Sequence, residues 1–355
     1  VRILLGDRLG RVQAELDEGA ISDVVWRLNE AGTATLNIVR TSAAFRQELL
    51  DPGARLYVEF DNGLPPWGGV LDLPRTWTPG ALKVQVYTIE RLLKFQLTSK
   101  ARLFIDALVG TIFFYILQEV EKRAKLGLTL GQVWSGGGTY SEGYPSSDAM
   151  SVINRSIREL ENCDYRFVPY LNKGRIMFRA ELHERLGEDK HKHIALIEGA
   201  NVAAPTLTEQ GDIVNRIFVK SAGATEAEQW IIPAIEETSR QQYGLREKII
   251  APSRLSLVST GRRYADRAIR EYAFPHVFAS MDVVDVKPAR FVDYDIGDIV
   301  WVSLSSFGFD GYGAPMRIVA RGFDPGTGKC ELVCSEQFEY LPIIQTEVEK
   351  PPEDE

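Results

Sequence analysis

Over the first hundred positions, apolar side chains recur at every second place in short runs. ATLNIVR (34–40), RLYVEF (55–60), GGVLDL (68–73) and LKVQVYTI (82–89) carry alternating or branched residues, the pattern of half-buried strands. Turn formers punctuate them at Pro52-Gly53, Asn62-Gly63, Pro65-Pro66 and Pro79-Gly80. Short strands at this spacing predict an antiparallel barrel or sandwich. The pattern then changes. Residues 104–126 predict a helix ending before Gly127, and a loop rich in Gly, Ser and Tyr follows at 131–147. A second helix is expected from near Ser147. Its apolar residues Met150, Ile153, Ile157 and Leu160 stand three and four apart, on one stripe. DYRFVPYLNKGRIMFRAEL (164–182) predicts a hairpin turning at Asn172-Lys173-Gly174. VNRIFVKSA (214–222) returns to strand, and a polar stretch rich in Glu, Gln and Arg follows. TGRRYADRAIREYAF (260–274) predicts a helix capped by Thr260, and strands resume from 276 to about 340.

A chain of 355 residues predicts two or three domains. Its net charge of −8 argues against a nucleic-acid clamp, which needs a basic face. The same charge leaves room for DNA to pass nearby without sticking. Only three cysteines occur. Cys330 and Cys334 lie four apart in a strand-like run, about 13 Å along a strand, which is too far for a disulfide between them. With no Cys-x-x-Cys, a zinc site is not expected. Cys163 is expected to be a small buried apolar residue. The N-terminal stretch lacks a signal-peptide core. The most apolar run, residues 103–117, contains Asp106 and is shorter than the roughly 20 residues of a membrane span. A soluble chain made in a cytoplasm is the expectation.

Candidate chemistry concentrates in FVDYDIGDIVWVSL (291–304), with Asp293, Asp295 and Asp298 around Gly297. A calcium loop of the EF-hand type starting at Asp293 needs glycine sixth and glutamate twelfth; here glycine is fifth and the twelfth residue is Leu304. The stretch has a counterpart. LDPGARLYVEF and YDIGDIVWVSL share Asp, one residue, Gly, then a strand. GGVLDLPRTWTPGALKVQVYTIE and PMRIVARGFDPGTGKCELVCSE share strand, Pro-Gly turn (79–80 and 325–326) and strand. The order of events repeats, so the Asp-x-Gly is read as a turn in which glycine supplies positive φ and aspartate caps. His183, His191 and His193 fall within HERLGEDKHKH, where a shared metal competes with a solvated connector. SGGG (135–138) lacks the Lys-Ser/Thr of a phosphate loop, and Tyr140 and Tyr144 beside it are candidate contacts for a neighbour. SLSSFGFDGYG (303–313) offers Phe307, Phe309 and Tyr312 as a subunit-contact loop, with packing on its own barrel as the alternative. No Gly-x-Ser-x-Gly, His-Glu-x-x-His, Walker loop or kinase set appears. A carboxylate pair of the glycosidase type stays open. No catalytic, cofactor-binding or metal residue is assigned.

The order of these segments resembles the tail hub, or baseplate hub, family of tailed bacteriophages and related injection machines. ISDVVWRLNEAGTATLNIVR looks like that family's first hairpin and GGVLDLPRTW like its next strand pair. RQQYGLREKII is similar to a segment between the family's two barrels, and DIGDIVWVSL to a strand of the second. The resemblance covers roughly residues 20 to 340. It implies a mainly β chain with two similar small antiparallel barrels and an α/β insertion. The expected division is a first barrel at 1–100 with about 205–225, an insert at 101–204, a second barrel at 226–345 with a preceding helical segment, and an acidic tail at 346–355. It further implies a non-enzymatic structural protein of the virion tail tip or baseplate: a homotrimer forming a pseudo-sixfold ring around a DNA channel. Its expected partners are a tail tube or distal tail protein, tip or fibre proteins and the tape measure, with no cofactor and no membrane span. The alternative is a carboxylate-dependent cell-wall hydrolase or a glycan-binding module at the same place.

Overall fold

The computed structural model describes residues 1–98, 102–144, 147–221, 229–251, 258–308 and 310–336. Phe309 and the acidic stretch 346–355 lie outside the described residues. The first unit holds β1 (Arg2–Gly6), β2 (Val12–Leu16), β3 (Ile21–Arg27), β4 (Thr33–Val39), a short α1 (Gln47–Leu50), β5 (Arg55–Glu59), β6 (Trp67–Trp77), β7 (Ala81–Tyr87) and a short α2 (Glu90–Leu93). The alternation in the sequence is realised here: on β7, Leu82, Val84 and Val86 are buried and the residues between them are not.

The segment expected as the insert follows, with β8 (Arg102–Leu108), α3 (Val109–Ala124), β9 (Leu128–Val133), β10 (Thr139–Tyr144), α4 (Ala149–Ile153), β11 (Asp164–Asn172) and β12 (Arg175–His183). The helix expected over 104–126 begins only at Val109. Residues 103–105 alternate, with Phe104 buried between exposed Leu103 and Ile105, and Arg102–Leu108 pairs with β10 across a bulge. From Val109 the period becomes helical: Val109, Ile112, Phe113, Ile116, Leu117 and Val120 form the buried stripe. The helix stops at Lys125 in the left-handed region (φ 52°), with Gly127 at φ 75° close behind. Asp148 caps α4 by accepting from Ser151 N–H at 2.8 Å. That helix runs on as a π-helical stretch, Asn154–Glu161, so Met150, Ile153 and Ile157 share one buried core. The side chain of Leu160 is outside the described residues. The hairpin of β11 and β12 turns at Lys173 and Gly174, both at positive φ (48° and 74°), the two-residue turn that matches strand twist.

Next come β13 (Ala195–Ile197), β14 (Val202–Gln210), β15 (Arg216–Lys220), β16 (Ile231–Ile235), α5 (Glu237–Tyr243), β17 (Glu247–Ile250) and α6 (Val258–Tyr272). β15 and the elements of the polar stretch after 222 thus form a compact unit. β16, β15 and β17 form a three-stranded sheet, and Ala265, Ala268 and Ile269 of α6 pack on its Ile217 and Val219. Because α6 already includes Val258, Thr260 lies inside the helix rather than capping it. The chain ends in β18 (His276–Val283), β19 (Ile299–Leu304), β20 (Tyr312–Asp324) and β21 (Lys329–Ser335).

The two expected closed barrels are instead one open thirteen-stranded sheet system, ordered β14-β18-β21-β20-β3-β4-β7-β6-β5-β1-β2, with β19 on β20 and β13 on β19. The reason is the length of β20. Its first half pairs with β19, while Ala320–Phe323 pair with Val24–Arg27 of β3, so the second unit continues into the first through backbone hydrogen bonds. Both units fill one shared core, from Ile3 and Leu36 to Val302 and Leu332. Sequence grouping places 205–225 with the first unit. In the structure β14 pairs with β18 of the second, and β15 belongs to the small sheet.

Candidate functional site at the junction of two repeated units

The strand order β3-β4-β7-β6-β5-β1 of the first unit is repeated as β14-β18-β21-β20-β19-β13 in the second. From β3 to β7 and from β14 to β21 these strands also come in the same chain order. The repetition extends to single hydrogen bonds. In the first unit Gly53 N–H donates to Leu71 O at 2.8 Å and Leu71 N–H to Ala54 O at 2.8 Å. In the second, Gly297 N–H donates to Ile318 O at 2.8 Å and Ile318 N–H to Asp298 O at 2.9 Å. Both glycines sit at nearly the same positive φ, 91° and 93°, a conformation that favours glycine. A bulge repeats as well. Asp23 (φ 52°) lies where β3 gains one residue on β4, and Ala204 (φ 45°) lies where β14 gains one on β18.

Asp293 and Asp295 of the 291–304 motif serve their own loop, and Asp298 also ties it to the connector after β12. Asp293 Oδ2 accepts from Arg290 N–H (3.0 Å) and Asp295 Oδ1 from Ile296 N–H (2.8 Å). Asp298 is buried. It accepts from Glu188 N–H (2.7 Å), Asp295 N–H (2.8 Å) and Lys190 Nζ (2.8 Å), so its charge is met in place.

Around this loop all parts of the chain meet. Arg317 of β20 is buried, and its guanidinium donates to Gly297 O (3.0 Å), to Leu186 O (2.7 Å) and to the carboxylate of Asp164. Asp164 opens β11 and also accepts from Asn29 Nδ2 (2.7 Å) and Leu186 N–H (2.7 Å). Asn29, in the β3–β4 turn, takes Tyr165 N–H (2.9 Å) and, on its carbonyl, the Tyr165 hydroxyl (2.6 Å). One buried polar node therefore ties the first unit, the insert, the connector after β12 and the second unit. Breaking such a node strands a charge in the interior, at a cost of about 3–5 kcal/mol, so the relative placement of the parts is held by more than apolar contact. Arg55 makes a second tie, donating to Ile176 O (2.8 Å) and Lys125 O (3.3 Å) of the insert.

A crevice of about 140 Å³ opens beside the node, lined by Trp26, Pro66, Tyr165, Phe167, Ile296 and Glu90 among others. Glu90 is buried, and its Oε2 has no hydrogen-bond partner among the described residues. Burial pushes its carboxyl up to about 7, and the Thr88 hydroxyl opposes this only in part.

The other sequence candidates disperse. His183 Nε2 sits 3.3 Å from Glu181, His191 Nδ1 sits 2.5 Å from Asp189, and His193 lies in an exposed turn. Among the described residues no group of three or more His, Cys, Asp or Glu is placed to hold a metal ion. Tyr140 and Tyr144 are buried, not presented to a neighbour; the Tyr140 hydroxyl donates to Glu161, which also receives Gly138 N–H at 2.7 Å. Phe307 and Tyr312 pack on the shared core. Their loop is pinned by Glu198, which accepts from Ser306 N–H (2.8 Å), Ser306 Oγ (2.6 Å) and Ser305 Oγ (3.1 Å). Cys163, Cys330 and Cys334 are all buried free thiols, and burial pushes Cys330 and Cys334 up to about 12. Sequence reasoning missed Arg317, Asp164, Arg55 and Glu90. For Arg317 the signal was a charge inside the apolar run PMRIVA.

No protein-family model and no curated protein matches the sequence. Solved structures do. Prophage tail protein gp18 from Listeria monocytogenes EGD-e gives a TM-score of 0.61 at 14% identity, covering 96% of each chain. The 43 kDa tail protein of prophage MuSo2 from Shewanella oneidensis gives 0.62 at 13% identity, over 96% of this chain and 99% of that one. The E. coli c3393 protein, a type VI secretion component with structural similarity to the T4 bacteriophage tail proteins gp27 and gp5, gives 0.50 at 10% identity, over 89% of this chain and 72% of that one. The chain has the fold of the prophage tail proteins, and the resemblance to the tail hub family read from its sequence holds at the level of that fold.

Proposed function

We propose that this chain is a structural hub subunit at the tip, or baseplate, of a phage-type tail in the virion. The observation that carries the reading is the internal repeat. Three copies of a chain that holds two equivalent β units present six similar units about one axis, and so match a sixfold tube on one side and a threefold tip on the other. The Gly53 and Gly297 hydrogen-bond pairs and the matched bulges support two equivalent units in one chain. The buried node supports a fixed angle between them. The ring encloses a channel, and a net charge of −8 suits passing DNA that is not to be bound. Its partners are the tail tube or distal tail protein, the tape measure and the tip or fibre proteins. Among the described residues no helix is long and apolar enough to cross a membrane.

No observation favours the hydrolase or glycan-binding alternative. The carboxylates that drew attention in the sequence are engaged with their own turns. Co-assembly with the neighbouring tail proteins tests the proposal. Mass measurement and electron-microscopy class averages should return three copies with six similar lobes around a hole. A different copy number, or a solid centre, overturns it.

A further inference from the structure

A cleft of about 610 Å³ lies between α6, the end of the π-helical stretch and the connector after β12. Arg263, Arg267 and Arg270 face it from α6 at spacings of four and three, and Arg185 faces it from the connector. Arg267 is buried, with Nη2 donating to Asn162 Oδ1 at 3.3 Å, which fixes the middle of the row. Three carboxylates, Glu161, Glu184 and Asp266, share the cleft. Glu161 lies 3.7 Å from Arg263. Among the described residues no carboxylate is within ion-pair distance of Arg185 or Arg270. Four guanidiniums converge here in a chain that is otherwise acidic.

We propose that the acidic segment 346–355 of the same chain seats on this cleft. It carries Glu347, Glu349, Glu353, Asp354 and Glu355 against the single Lys350, a charge complement to the arginine row. Its point of departure also fits. The last described residue, Glu336, donates its N–H to Val277 O at 3.0 Å, and the neighbouring His276 ring meets Glu271 O at 3.1 Å. The chain therefore leaves beside the Arg270 end of α6. A helix of this length spans about 22 Å, and residues 337–345 alone reach up to about 30 Å. Tethering supplies an effective concentration of roughly millimolar, so the chain's own segment outcompetes a separate peptide present at lower concentration.

A labelled peptide of residues 346–355, read by fluorescence anisotropy, tests this on the chain of 355 residues. A chain carrying E347Q/E349Q/E353Q/D354N/E355Q should bind the peptide, about tenfold more weakly when salt rises from about 50 to 300 mM. The unaltered chain should bind it at least about tenfold more weakly still, because its own segment occupies the cleft. Adding R263E/R270E to the neutralised chain should abolish binding. R185E, which lies off the helix, should weaken it without altering the far-ultraviolet circular dichroism. Three outcomes overturn the proposal: no binding to the neutralised chain, binding that survives both arginine variants, or equal binding by the unaltered chain, which would leave the cleft open to another molecule.

Discussion

Glu90 shows at residue scale how burial changes a side chain's role. In the sequence it is one glutamate among the chain's many acids. In the structure it opens α2, buried in the crevice beside the node. The folded chain holds its proton up to about pH 7, whereas the unfolded chain loses it near 4.5. Its neutral form therefore contributes fully below the unfolded value, and that contribution is lost as pH rises through the folded one. The loss amounts to on the order of 3 kcal/mol. Urea titrations at pH 5 and pH 8 should show Glu90→Gln shrinking the difference in stability between them by about 2–3 kcal/mol. An undiminished difference would show the carboxyl to be solvated or paired. No periodicity could reveal Glu90, Asp164 or Arg317, because their burial comes from residues more than a hundred positions away or from other elements.

At the scale of elements, alternation located β4 to β7 and the 164–182 hairpin, where one face meets a core and the other does not. It failed at 103–108, where an apolar stretch continuous with α3 hid a change of period. It also missed β16 and β17, which lie within the polar stretch after 222 and flank β15. The Asp-x-Gly turns were legible because glycine marks positive φ directly. Their equivalence makes a paired prediction. Gly53→Ala meets nothing nearer than Arg8 Cγ at 3.6 Å, so its cost is the backbone strain alone, about 1–2 kcal/mol. Gly297→Ala carries the same strain and also places Cβ 2.5 Å from Leu186 O, so its cost should reach about 3 kcal/mol or more. Denaturant midpoints of the two variants compare them. Equal losses would mean that the connector carrying Leu186 yields.

For the whole molecule, the two units differ in what covers them. On β5, Tyr57 is 7% exposed because the insert lies on that face, with Pro169 against Gly68. The matching residue of β19, Trp301, is 37% exposed beside Ile197 at 36%. In the proposed ring a second copy covers this face, as the insert covers its counterpart. Trp301→Ser with Ile197→Ser should then weaken assembly with the neighbouring tail proteins at least about tenfold, measured by sedimentation, and leave the melting temperature nearly unchanged. Assembly at full strength would assign this face to water.

The sequence by itself determined the mainly β class, the turns, most strands of both units and the existence of a repeat, because these are local: period, glycine at positive φ and Pro-Gly punctuation act over a few residues. Tertiary structure alone decided that the units merge through β20 and β3 into one open sheet rather than closing as barrels. It also decided that the aspartates serve a turn, that the histidines part company, and that a buried node of Arg317, Asp164 and Asn29 joins four segments. Each of those depends on which distant backbone and charge arrive at the same place, and pairing across a long separation leaves no mark in the spacing of neighbours.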